Sequence, residues 1–120
     1  MMTPAMKRIF AQFFKTASGQ EPAREWLMKL EPEDRKTVGT NIKDVEFGWP
    51  IGKPLAASLG RGLWEVRSSI RDGIARVIFY VTGNQMILLH GFVKKTQKTP
   101  KPDLDLGFKR MKEHMKGEVS

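Results

Sequence analysis

"LWEVRSSIRDGIARVIFYVTGNQMILLHGFV", residues 63–93, decides the fold. It contains three runs rich in β-branched and aromatic residues, LWEVRSS, IARVIFYV and QMILLHGFV, parted by Asp72-Gly73 and Gly83-Asn84. Both dipeptides suit two-residue hairpin turns, so the stretch predicts an antiparallel three-stranded meander. The turns set the register. With Asp72-Gly73 as the turn, Arg71 faces Ile74, Ser69 faces Arg76, Arg67 faces Ile78 and Glu65 faces Tyr80. Side chains alternate along a strand, so one face carries Glu65, Arg67, Arg71, Arg76 and Tyr80. The other carries Trp64, Val66, Val77, Phe79 and Val81, and the second turn adds Met86, Leu88, His90 and Phe92 to it. Helices are expected to cover this apolar face and to leave the charged face partly open.

Downstream, "HGFVKKTQKTPKPD", residues 90–103, turns from apolar to basic, with Lys94, Lys95, Lys98 and Lys101 and no acid before Asp103. Asp103 is placed to cap a last helix, in which Leu104, Phe108, Met111 and Met115 form an apolar stripe that Gly117 ends. Upstream, residues 48–62, GWPIGKPLAASLGRG, are rich in glycine and proline and read as a loop. Pro22 and Pro32 each suit the first turn of a helix. Ala23, Trp26, Leu27 and Leu30 give the first an apolar side; Val38, Ile42 and Val45 do so for the second, which ends near Gly48 and Pro50. Residues 7–14, KRIFAQFF, suit a short first strand. The order β-α-α-β-β-β-α describes an α+β fold, expected as one domain over residues 1–120.

The chain has 120 residues, 40% of them hydrophobic, with three tryptophans, enough material for a core. It has no cysteine, which rules out disulfides and thiolate metal sites. With only His90 and His114 as imidazoles, neither a metal nor another cofactor is expected. No apolar run approaches the roughly 18 residues of a membrane span, and no signal-peptide pattern opens the chain. A soluble, cytoplasmic protein without a membrane partner is expected. The net charge of +8, from 21 basic and 13 acidic residues, favours a polyanionic partner.

GLWEVR at 62–67, ARVIFY at 75–80 and LLHGFVKKTQKTP at 88–100 resemble the HigB branch of the RelE/ParE toxin superfamily, phage-derived killer proteins of toxin–antitoxin modules. The likeness is close over residues 55–115 and a matter of pattern only before them. Its most specific part is F-x-K-K-T-x-K-T-P between a strand and a helix. The resemblance implies a RelE-like fold and ribosome-dependent cleavage of mRNA. It also implies neutralisation by a small helix-turn-helix antitoxin, HigA-like in kind. Two departures stand out. Ala75 occupies a position that is often aromatic in the family. The lysine pair common on the first meander strand is here Glu65 and Arg67, and Tyr80 is the one tyrosine of the chain.

Cleavage by a ribose 2′-hydroxyl requires that the hydroxyl lose a proton, that a pentacoordinate phosphate be stabilised and that the 5′-oxygen gain a proton. His90 falls on the apolar face, where a core role is expected, and His114 lies among basic helix residues, so a paired-histidine nuclease is not expected. An arginine–lysine site remains. Arg67 and Arg76 share a face, and an arginine fork matches phosphate oxygens. Lys95 joins them as a candidate catalytic cation, and Glu65 is either a general base or the salt-bridge partner of Arg67. Lys94, Lys98, Arg71, Lys101 and Lys112 are the candidate RNA-binding residues, with Thr96 and Thr99 as possible hydroxyl donors. The lysines equally suit a strand end that discourages aggregation. Alanine at the arginines should spare folding, because a polar face holds them. Two further readings remain: a ParE-like gyrase inhibitor on the same fold, and a non-catalytic nucleic-acid binder.

Overall fold

The computed structural model describes residues 6–119. In chain order the elements are β1 (Phe10–Phe13), α1 (Pro22–Met28), α2 (Pro32–Gly48), β2 (Ala56–Gly60), β3 (Leu63–Ile70), β4 (Gly73–Thr82), β5 (Gln85–Lys94) and α3 (Lys101–Val119). They form the expected α+β architecture. Pro22 and Pro32 stand in the first turns of α1 and α2, where a missing N–H costs nothing. One five-stranded sheet runs β1-β5-β4-β3-β2, with β1 parallel to β5 and the other neighbours antiparallel.

Four expectations are corrected. Residues 56–60, read as loop, form edge strand β2, with Ala56 opposite Val66 and Ala57 opposite Glu65. Its small residues and flanking glycines hide a strand that exists because β3 offers it a ladder. The first hairpin turns at Arg71-Asp72, since Ile70 pairs with Gly73. Gly73 belongs to β4 at a close approach: a Cβ there would lie 3.2 Å from the Lys94 carbonyl oxygen and 3.3 Å from Val93 Cγ1. The register therefore moves by two residues. Face assignments in β3 and β4 survive an even shift, but Arg67 now lies directly opposite Arg76.

The third correction is a bulge. Ile78 pairs with His90 and Phe79 with Leu88, which leaves Leu89 as the extra residue of β5. Met86 and Leu88 keep the α1/α2 face, whereas His90 and Phe92 cross to the other. His90 is thus no residue of the α1/α2 core; its Nε2 meets Asp103 Oδ1 at 2.7 Å, and its ring stacks on Phe92. The bulged segment is also a docking point, because Arg110 Nη1 donates to the Leu89 carbonyl at 2.9 Å. Burial there pushes the Arg110 guanidinium below its ordinary value, with Glu113 opposing in part.

The fourth concerns the charged face, half of which α3 covers. Leu63, Ile78, Tyr80, Ile87, Leu89, Phe92 and Met111 form a second core beneath α3, opposite the one under α1 and α2. A helix on each side explains why Ile78-Phe79-Tyr80 and Ile87-Leu88-Leu89 are buried without alternation. The helix starts at Lys101, so Asp103 lies in its first turn and holds His90 instead of capping. It continues through Gly117, and Met115 is 43% exposed, so the apolar stripe stops at Met111. No helix among the described residues is long and apolar enough to cross a membrane.

Gly91 is where α1 meets the sheet. A Cβ there would lie 2.2–2.6 Å from three atoms of the Trp26 ring, a distance that no side chain tolerates. Gly91→Ala should therefore push the ring out of its seat and destabilise the fold by about 1–3 kcal/mol, the usual cost of overpacking. A thermal melt checks this: an unchanged Tm would mean that α1 shifts without cost.

Candidate nucleic-acid interface

Two arginines directly opposite on neighbouring strands repel each other unless acceptors are supplied. The structure supplies them from the segment between β5 and α3. Arg76, fully buried at 0% exposure, donates from Nη2 to the Thr96 carbonyl and from Nη1 to Thr99 Oγ1 at 3.4 Å. Thr99 in turn donates to Glu65 Oε2 at 2.7 Å. The other carboxylate oxygen, Glu65 Oε1, accepts from Arg67 Nε at 2.8 Å. Arg67 Nη2 also reaches the Gln97 carbonyl at 3.4 Å. A buried carboxylate, bonded to Arg67 directly and to Arg76 through Thr99, thus helps to strap residues 96–99 down onto the sheet. Among the described buried side-chain atoms, Arg76 Nε alone has no hydrogen-bond partner.

The two arginines differ in reach. Arg67 keeps 27% of its side chain exposed and lines a cleft of about 500 Å³, together with Asn41, Lys53, Leu55, Ser69, Ile74 and Gln97. Arg76 lies under the strap. The expectation that alanine at either arginine spares the fold is corrected for Arg76, because α3 and the strap bury its face. Lys94, Lys95 and Lys98 stand exposed around the strap. Sequence reasoning missed Lys53 and Asn41. Lys53 lies in a glycine- and proline-rich segment with no periodicity, and Asn41, on α2, donates to Ser68 Oγ at 2.8 Å.

Other candidates lie elsewhere. Arg71 is exposed at the hairpin tip, beside Glu31, Glu33 and Asp34 at the start of α2. Lys101 pairs with Asp105 at 2.8 Å. Lys112 follows it by eleven residues of α3, about 16 Å along the axis. It neighbours Arg61, Lys109 and Lys116. His114 Nδ1 meets the hydroxyl of buried Tyr80, which engages that hydroxyl beneath α3.

The profile of the phage-derived Gp49-like proteins (DUF891) matches residues 25–112. That is 88 of 120 residues, from within α1 to past the middle of α3. The chain belongs to the Gp49-like family. This family is of the RelE/HigB-like toxin type found in addiction modules. No curated protein matches the sequence. The Gp49-like match takes in Glu65, Arg67, Arg76 and the whole strap, and leaves β1 outside. In this Gp49-like protein the basic segment is therefore more than a solvated linker: its backbone carbonyls and Thr99 are the partners of the arginine pair.

Proposed function

We propose that this Gp49-like protein is the toxin of a type II toxin–antitoxin module and cuts mRNA on the ribosome, with a helix-turn-helix antitoxin restraining it. The observation that carries the reading is Arg67, held by Glu65 at the edge of an open cleft with exposed lysines beside it. In the proposed reaction the ribose 2′-oxygen loses its proton and bonds to the adjacent phosphorus, and the bond to the 5′-oxygen breaks as that oxygen gains a proton. Negative charge grows on the non-bridging oxygens between these events. Arg67 presents its guanidinium edge to them, and Lys95 adds a second cation from just before the strap. Both carboxylate oxygens of Glu65 are engaged, so in this reading Glu65 orients Arg67, and Arg76 anchors the strap from below. Lys94 and Lys98 hold the flanking backbone as point charges.

Expression in a bacterial host should arrest growth, and cleaved mRNA should be mapped by primer extension in programmed ribosomes. Growth arrest with intact mRNA and damaged DNA would instead identify a gyrase inhibitor. RNA affinity should also fall steeply with salt, with a log–log slope of about −0.7 per phosphate neutralised on a single strand. Affinity indifferent to salt would sink the electrostatic basis of the proposal.

A further inference from the structure

A second group of cations lies at the far end of α3, apart from the network around Arg67. Lys109, Lys112 and Lys116 are exposed and recur at three and four residues, so they form one stripe about 10 Å long on the helix. Beside it the β2–β3 turn, Gly60-Arg61-Gly62, lays the Arg61 guanidinium over the Phe108 ring, 4.6 Å from its centroid. With Asp105 and Glu113 these residues border a depression of about 500 Å³. Asp105 is already paired with Lys101. Among the described residues, none of Arg61, Lys109, Lys112 and Lys116 forms a salt bridge.

The turn itself adds an independent observation. Arg61 has φ 55°, between Gly60 at 87° and Gly62 at 89°, and no other described non-glycine residue has a left-handed backbone. An L side chain is held there against a steric penalty that glycine would not carry. Among the described residues the Arg61 side chain makes no hydrogen bond or ion pair, and its contact is with the Phe108 ring. Strain retained at an exposed cation points to a ligand.

We propose that Arg61, Lys109, Lys112 and Lys116 form a second anion-binding surface, which takes the phosphodiester backbone of a single RNA strand outside the cleft at Arg67. The ligand class rests on the proposed RNA reading. Lysines at successive rises of about 4.5 and 6 Å along the helix meet a chain of repeating charges. A stable protein partner would want an apolar centre. Here the one aromatic ring is capped by Arg61, and the four cations outnumber the two exposed carboxylates, Asp105 and Glu113, that border the same depression. A strand engaged at both surfaces would be held at two separate points, which share no lining residue, so the patch contributes affinity and register without touching the reacting phosphate.

The test uses the full chain and a labelled oligouridylate, with affinity measured against salt. The triple variant Lys109→Gln, Lys112→Gln, Lys116→Gln should flatten the log–log slope by about 1.4–2, two to three phosphates at 0.7 each. Arg61→Gly should weaken the same probe several-fold with a Tm at or above the parent's, and it serves as the test should the triple variant fold poorly. Unchanged slope and affinity in these variants would overturn the proposal. So would loss of binding to an oligoglutamate peptide with oligouridylate binding intact, since the patch would then serve an acidic protein. Failure of the cleavage reading is seen separately, in Arg67→Ala cutting like the parent, and leaves the slope measurement to decide this surface.

Discussion

Arg67→Ala is expected to lower single-turnover cleavage in programmed ribosomes by about 10²–10³, the usual effect of removing one preorganised donor to a developing charge. RNA affinity should fall far less, because the lysines around the strap remain. The fold should persist: Arg67 is partly exposed, and its buried partner, Glu65, still accepts from Thr99. Arg67→Lys should recover little, since a point charge cannot reproduce a planar fork seated on Glu65 Oε1. If Arg67→Ala cuts at nearly the parent rate, the reacting phosphate is not held at this cleft.

Glu65→Ala should do its damage to stability first. The carboxylate has 0% exposure and accepts from Arg67 on one oxygen and Thr99 on the other. Removing it leaves Arg67 without its salt-bridge partner and Thr99, which anchors Arg76, without its acceptor, and breaking a buried ion pair by one member costs about 3–5 kcal/mol. For a chain of this size the Tm should fall on the order of 10–20 °C. Arg76→Ala should behave likewise, because it strips the strap of its anchor at Thr96 and Thr99. Thermal melts of both variants, followed by cleavage assays well below their Tm, separate the two roles of Glu65. A parent-like Tm with cleavage abolished would make it the general base and refute the orienting role.

These two variants differ because of burial, which alternation alone does not reveal. The hairpin parity in residues 63–82 correctly put Glu65, Arg67 and Arg76 on one face, and an even register shift left that assignment intact. What the parity could not give is which cation meets solvent. Both arginines look alike in sequence. The strap that hides Arg76 and spares Arg67 depends on contacts up to thirty-four residues apart, Thr99 to Glu65 among them.

By itself the sequence determined the elements: prolines opened α1 and α2, Gly83-Asn84 closed the second hairpin, and runs of β-branched residues set the three long strands. These signals are local, arising from φ/ψ limits and side-chain period within a few residues. Tertiary structure alone decided the rest. Edge strand β2 exists because β3 pairs with it, and the bulge at Leu89 turns His90 away from the α1/α2 core, toward Asp103 and beneath the side that α3 covers. The Gly73 position is spent on closeness to Lys94 and Val93 instead of on the turn. In each case the energy comes from groups that meet only after the chain has folded, so no window of neighbouring residues contains it.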